Sequence, residues 1–163
     1  MIFLGIDPGL NGAFAWYDTA ARSISITDMP IVEVMRNGKK KREVSAALVA
    51  HAISEHTFGA NVALACLERV NAMAGQGVTS VFSFGRSSGI LEGVLAAFGI
   101  PTILTPPQTW IKATNVRGGK DGSRERAMQL FPDQAGLFAR KKDDGRSDAA
   151  LMAYYASTIG PNK

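Results

Sequence analysis

The sequence predicts an α/β fold with one mixed sheet of five strands flanked by helices. Three short apolar runs near the N-terminus follow one another at hairpin distances, which indicates antiparallel strands. Further along, helical and strand patterns alternate, as they do in parallel crossover units. A chain of 163 residues is long enough for one core of ordinary size, so we expect residues 1–163 to form a single domain.

The N-terminal third is expected to form a meander of three strands. Residues 2–7 are apolar on both faces, which places this strand at the centre of the sheet. Residues 12–17 and 23–28 follow through turn residues as further strands. Residues 29–42 lose the alternating pattern, so a polar loop with a basic tip is predicted there.

The remaining chain is expected to alternate helices with strands. Apolar residues at helical spacing, such as Val44, Leu48 and Ile53, indicate the first helix. In order, the predicted elements are a helix over residues 44–57, a strand over 61–67, a helix over 79–98, a strand over 101–104, a short helix over 108–112, and helices over 124–131 and 145–158.

Three glycines fall on one face of the long predicted helix. Gly85, Gly89 and Gly93 are four residues apart, and each costs a helix about 1 kcal/mol relative to alanine. Such residues are expected where another backbone approaches closely. Packing onto the sheet and packing against a twofold partner helix explain the pattern equally well.

Carboxylates stand at the ends of the predicted core elements. Asp7 closes the first strand, and Glu68 closes the apolar run at 62–67. If these strands are parallel neighbours, their ends lie about 4.8 Å apart. Asp148 shares the apolar stripe of the last helix with Leu151 and Met152. Buried carboxylates need a positive partner, and Mg²⁺ or Mn²⁺ prefers oxygen ligands, so a shared metal site is predicted.

The fourth acid of such a site is open between two neighbours. Asp144 lies one turn before Asp148 and points the same way, and Asp143 precedes it. Both residues also suit an ordinary helix N-terminus, where an aspartate caps free N–H groups and meets the positive end of the dipole. Taken alone, caps are the simpler interpretation.

Composition favours an anionic partner and a reducing compartment. Eighteen Lys plus Arg against fourteen Asp plus Glu give a net charge of +4, which alone shifts the odds only modestly. Cys66 is the single cysteine, so no internal disulfide is possible. The sequence shows neither a signal peptide nor a run of roughly 20 apolar residues, so a soluble cytoplasmic protein with no membrane partner is expected.

Several motifs in order give the chain a family resemblance. They are Gly-Ile-Asp-Pro-Gly at residues 5–9, Leu-Glu at 67–68, Gly-Arg-Ser-Ser-Gly at 85–89, Pro-Gln-Thr-Trp-Ile-Lys at 107–112 and the acidic start of the last helix at 143–150. Together they resemble the RuvC-like Holliday-junction resolvases over nearly the whole chain. The resemblance implies an RNase H-like fold, a homodimer, two metal ions per subunit and nicking of four-way DNA junctions.

The resemblance also implies roles for individual residues. Asp7 would bridge both metal ions, Glu68 would be the ligand from the second strand, and Asp148 with Asp144 would be the acids of the last helix. Two-metal hydrolysis would leave 5′-phosphate ends. The predicted DNA contacts are Lys39, Lys40, Lys41, Arg42, Arg69, Arg86, Lys112, Arg117 and Lys120. For the basic loops, the alternative is an ordinary solvated surface.

Three functions are therefore carried forward from the sequence. The first is a magnesium-dependent, structure-selective DNA endonuclease that acts on Holliday junctions and other branched DNA. The alternatives are a resolvase-like RNase of the same fold, and a junction-binding protein with little turnover. The expected setting is a bacterial cell or a phage-infected host.

Overall fold

A mixed sheet of five strands lies at the centre of the computed structural model, which describes residues 1–58, 61–69, 71, 75 and 77–160, without the side chain of Lys120. The strands are β1 (Ile2–Ile6), β2 (Ala13–Asp18), β3 (Ser23–Asp28), β4 (Ile31–Arg36), β5 (Lys39–Val44), β6 (Val62–Glu68) and β7 (Thr102–Thr105). The helices are α1 (Ala46–Thr57), α2 (Val78–Ala97), α3 (Pro107–Ala113), α4 (Gly122–Leu130) and α5 (Asp144–Ile159).

The order of strands in the main sheet is β3-β2-β1-β6-β7. The central strand β1 pairs antiparallel with β2 and parallel with β6, and β7 continues the parallel half. The five-stranded mixed sheet expected from the sequence is confirmed. Because β1 is covered on both faces, its residues from Phe3 onward are buried, as the unbroken apolar run predicted.

The predicted polar loop at residues 29–42 is wrong, because a second sheet occupies this segment. Strands β4 and β5 form an antiparallel hairpin with Arg36 opposite Lys39. Its two turn residues, Asn37 and Gly38, have φ angles of 50° and 71°, the left-handed pair that a two-residue hairpin turn requires. The charged residues conceal the strand pattern, because most side chains of this hairpin are exposed and need not alternate with apolar residues.

Helices cover both faces of the main sheet. On one face of the sheet, Leu4 and Ile6 of β1 share a core with α1 and α2, where Val49 and Leu91 are fully buried. The opposite face is covered by α5 together with α3 and α4, and its core includes Leu151. This two-sided burial brings the N-terminus of α5 to the carboxyl end of β1.

The two tryptophans belong to these cores. Trp16 is 4% exposed and Trp110 2% exposed, so neither presents a ring to solvent. Short 3₁₀ segments that the sequence did not indicate, Gly119–Asp121, Pro132–Phe138 and Lys141–Asp143, connect the last helices. In the part of the chain described here, no helix is long and apolar enough to cross a bilayer.

The three glycines of α2 do not pack onto the sheet, so that explanation of the pattern is wrong. A Cβ built on Gly85, Gly89 or Gly93 would meet no heavy atom within 4 Å, and this face of α2 is exposed. The tight backbone approach occurs at Gly5 instead, where an added Cβ would overlap the carbonyl oxygen of Ala149 in α5. Strand β1 and helix α5 are therefore in direct backbone contact.

Candidate active site

Two of the predicted acids lie at neighbouring strand ends. Ile6 is in register with Leu67 in the parallel pair, so Asp7 and Glu68 leave the sheet side by side. The chain then turns sharply after Asp7, whose Oδ1 accepts a hydrogen bond from the backbone N–H of Gly9 at 3.0 Å. This turn fixes the direction of the Asp7 side chain at the edge of the sheet.

The first turn of helix α5 packs directly against the chain reversal that follows Asp7. A Cβ on Gly145 would lie 2.8 Å from Oδ2 of Asp7 and would overlap the carbonyl oxygen of Asn11. Only glycine permits this approach without displacement. It brings the start of α5, and with it Asp144 and Asp148, to the strand ends that carry Asp7.

Burial and mutual repulsion raise the pKa values of the clustered acids. Burial first, and then the charge of Asp7, raise the pKa of Glu68 to about 7, although a hydrogen bond from Trp110 opposes the shift. Burial and the charges of Asp7 and Asp144 raise the pKa of Asp148 to about 6, against a hydrogen bond from Ser123. Burial likewise raises the pKa of Asp7, against the hydrogen bond from Gly9. The charge of Asp7 therefore affects the pKa of both Glu68 and Asp148.

Each acid is held by a partner within the protein. Oε1 of Glu68 accepts a hydrogen bond from Nε1 of Trp110 at 3.2 Å. Oδ1 of Asp144 lies 3.2 Å from Nε of Arg124. Among the residues that the structure describes, no three His, Cys, Asp or Glu side chains are arranged to hold an ion. Their oxygen donors suit a hard divalent cation, and in this structure Glu68 and Asp144 each engage one oxygen with Trp110 and Arg124.

Asp143 is engaged differently from the other acids. It is 1% exposed, and its carboxylate accepts hydrogen bonds from the backbone and the guanidinium of Arg140, with Nη2 to Oδ1 at 2.9 Å. Burial alone would raise the pKa of Asp143, but these bonds outweigh it and hold the pKa below its usual range. Asp143 is therefore an ion-paired residue that tethers Arg140. Asp144, about half exposed, is the better candidate for the fourth ligand.

Comparison of the sequence with known proteins supports the predicted resemblance. No family model matches the sequence. Over 86 residues, 52% of the chain, the sequence is 34% identical to the chloroplastic Holliday junction resolvase MOC1 of Chlamydomonas reinhardtii. The match spans only 10% of that protein. The predicted resemblance to Holliday-junction resolvases is confirmed at this level of similarity.

Solved structures give the fold. RuvC of T. thermophilus in complex with Holliday junction substrate superposes with a TM-score of 0.60 at 14% identity, over 99% of this chain and 97% of that one. A second Thermus thermophilus RuvC structure has a TM-score of 0.53 at 13% identity, over 98% and 96% of the two chains. The chain has a RuvC-like fold. At this level of identity the likeness concerns the fold alone.

In this RuvC-like fold, the predicted DNA contacts are distributed over several surfaces. Exposed cations lie on the hairpin, after β6, on α2, on α3 and before α4: Lys39, Lys40, Lys41, Arg42, Arg69, Arg86, Lys112 and Arg117. Arg42 donates a hydrogen bond to Oδ1 of Asn11 at 3.1 Å and lines the same cleft of about 790 Å³ as Asp7 and Asp148. The side chain of Lys120 lies outside the described residues.

Sequence reasoning missed the residues that hold the acids in place. Trp110 offered one signal, since a buried indole N–H needs an acceptor. Ser123 and Arg124 offered none, because their role depends on where α4 packs against α5. Arg146 ties the first turn of α5 to β3 through a paired contact with Asp28, with both N to O distances at 2.6 Å.

Proposed function

We propose that the chain is a divalent-metal-dependent endonuclease that nicks Holliday junctions and other branched DNA. The observation that carries the proposal is the convergence of Asp7, Glu68 and Asp148 from three core elements at one end of a RuvC-like sheet. Burial raises the pKa of all three, and the charge of Asp7 raises those of Glu68 and Asp148 further. The similarity to a junction resolvase over half of the chain supports the substrate class.

The site chemistry follows from what these acids can bind. Asp7, Glu68, Asp148 and Asp144 would hold Mg²⁺ or Mn²⁺, two ions per subunit, which when bound supply an activated water and stabilise the leaving 3′ oxygen. By holding these ions, the acids would set where the scissile phosphate binds relative to the carboxyl ends of β1 and β6. Arg42, beside the cleft, is suited to hold a neighbouring phosphate. Products would carry 5′-phosphate ends.

The proposal is tested with end-labelled four-way junctions, linear duplex and structured RNA, each incubated with Mg²⁺ or Mn²⁺. Selective, paired nicks in the junction are the expected result. Asp7→Asn should abolish nicking while junction binding stays equal or becomes slightly tighter, because one negative charge is removed from the site. Asp18→Asn is the matched control, since Asp18 is exposed at the opposite end of the same strand pair.

Two other outcomes would replace this function. Cleavage of RNA alone would identify a resolvase-like RNase of the same fold. Junction binding without any nicking, in either metal, would identify a binding protein with little turnover. This second alternative is supported by the contacts of Glu68 with Trp110 and of Asp144 with Arg124, because they engage two of the proposed metal ligands.

A homodimer completes the proposal. The exposed glycine face of α2 has no partner within the described part of the chain and permits close approach of a second helix. A twofold pair of subunits would place two acidic sites against two strands of one junction, so that nicks occur in pairs. The single domain over residues 1–163 and the cytoplasmic setting remain predictions.

A further inference from the structure

A buried carboxylate beside the candidate active site takes no part in the proposed metal chemistry. Asp143 is buried and lies directly before the helix that carries Asp144 and Asp148. A carboxylate in such a position is costly unless a cation and hydrogen bonds offset its lost hydration. Arg140 supplies both, so the pair fixes the position of Arg140 as well as that of Asp143.

Three donors of Arg140 converge on this one carboxylate. The backbone N–H donates to Oδ2 of Asp143 at 2.9 Å, Nε donates to the same oxygen at 3.1 Å, and Nη2 donates to Oδ1 at 2.9 Å. A planar guanidinium bound through two of its nitrogens cannot rotate without breaking both contacts. Nη1 makes no hydrogen bond within the described part of the chain, so this rigidly held arginine keeps one NH₂ group available.

Arg140 belongs to the wall of the acidic cleft. Its side chain is 54% exposed and lines the cavity of about 790 Å³ that also includes Asp7 and Asp148. Arg42 reaches the same cavity from the β4–β5 hairpin. A DNA strand that enters the cleft therefore meets guanidinium groups from two separate elements.

The other cations near the start of α5 are less suited to a fixed contact. Nε and Nη2 of Arg146 are taken up by the carboxylate of Asp28 at 2.6 Å each, and Nη1 lies 3.8 Å from Oδ1 of Asp143. Every nitrogen of that guanidinium thus faces a carboxylate. Lys142 also lines the cleft, but an ammonium on a flexible stem is a mobile point charge rather than a planar fork.

The chemistry of Arg140 favours a phosphodiester as its ligand. Guanidinium N–H groups match the oxygens of a phosphate in geometry and charge, and a side chain that is already fixed loses little entropy on binding. The clustered acids repel a DNA backbone, so a cation at a defined place in the same cleft offsets part of that repulsion. A backbone phosphate close to the scissile one meets these conditions.

We propose that Arg140 binds a backbone phosphate of the DNA strand near the scissile phosphate, and that Asp143 is a positioning residue that holds the guanidinium in place for this contact. The proposal rests on the nuclease function, because it assigns a neighbour of the scissile phosphate to a defined side chain. It also gives Asp143 a role other than metal ligation.

The test measures binding of a labelled four-way junction by fluorescence anisotropy at several salt concentrations, with a chelator present. Arg140→Gln should weaken binding about tenfold, as expected for the loss of one charge-assisted hydrogen bond, and reduce the slope of log affinity against log salt by about one. Lys141→Gln is the matched control, because it removes the same charge from the next residue, which is exposed and does not line the cleft. It should bind almost as wild type does.

Asp143→Asn separates positioning from simple electrostatics. The variant removes a negative charge near the DNA, and charge alone would tighten junction binding. Loss of the tether to Arg140 should instead weaken binding, and the double variant with Arg140→Gln should bind no worse than Arg140→Gln alone. Mn²⁺ binding, followed by electron paramagnetic resonance, should be unchanged in Asp143→Asn and strongly reduced in Asp7→Asn.

Three results would overturn the proposal. Equal junction affinities for Arg140→Gln and Lys141→Gln would show that the pair of Arg140 with Asp143 serves only the stability of the fold. Tighter junction binding by Asp143→Asn would exclude the positioning role, and loss of its Mn²⁺ binding would identify Asp143 as a metal ligand. Thermal unfolding is recorded for every variant, and if Asp143→Asn does not fold, the comparison of Arg140→Gln with Lys141→Gln decides the proposal.

These results separate the inference from the proposed function. If wild type nicks junctions while Arg140→Gln binds them as Lys141→Gln does, the assignment of Arg140 fails and the nuclease stands. If junction binding depends on Arg140 as expected but wild type never nicks a junction, the nuclease fails and the phosphate contact stands.

Discussion

Replacement of Glu68 by Gln should stabilise the metal-free protein at neutral and alkaline pH. The amide keeps the acceptor for Nε1 of Trp110 but removes the charge that Asp7 and Asp148 repel. The pKa of Glu68 is raised from 4.5 to about 7 in the folded protein. Its folded form therefore binds more protons than the unfolded chain within that interval, and stability falls as pH rises through it.

The size of the effect follows from the same shift. A difference of about 2.5 units corresponds to an upper limit of about 3 kcal/mol at 1.36 kcal/mol per unit. The Glu68 side chain is partly exposed, and screening by solvent reduces this to about 1–2 kcal/mol. For a chain of this length, the midpoint of thermal unfolding should rise by about 3–6 °C.

Thermal unfolding at about pH 5 and pH 8 in the presence of a chelator measures the prediction. Glu68→Gln should exceed wild type at the higher pH, and most of the difference should disappear at the lower one. Glu55→Gln neutralises an exposed carboxylate on α1 and should give no such gain. Added Mn²⁺ should stabilise wild type more than Glu68→Gln. A variant no more stable than wild type at pH 8 would refute repulsion among these acids.

Two further predictions concern glycines with opposite surroundings. Gly5→Ala should lower stability by about 1–3 kcal/mol or more, because its Cβ would overlap the Ala149 carbonyl, and thermal unfolding should show a loss that the exposed control Gly136→Ala does not. Gly89→Leu should convert the proposed dimer to a monomer and uncouple paired nicks, as measured by analytical ultracentrifugation and junction cleavage; an unchanged mass would place the interface on another surface.

Patterns carried by buried strands allowed most of the main sheet to be predicted. The apolar run before Asp7 indicated a central strand, and the position of Glu68 at the end of the next parallel strand indicated a neighbour. The β4–β5 hairpin was not predicted because its charged side chains lack an alternating pattern. Its one local signal is Asn37-Gly38, the pair that a two-residue turn with positive φ favours.

The arrangement around the acids was less accessible to sequence reasoning. The sequence places Asp144 on the helix face of Asp148, but only the structure shows that Asp143 is buried in an ion pair with Arg140. The contact between Arg124 and Asp144 depends on the packing of α4 against α5. Interactions of this kind join distant elements, so no local spacing reports them.

The direct contact between β1 and α5 limits how the candidate active site can vary. Because main chain touches main chain at Gly5, no core side chain acts as a spacer between the strand that carries Asp7 and the helix that carries Asp148. Apolar substitutions elsewhere can change the melting temperature while the distance between these two acids stays the same. Variation of the candidate site is thereby left to neighbours such as Arg42 of the hairpin and Ser123 of α4.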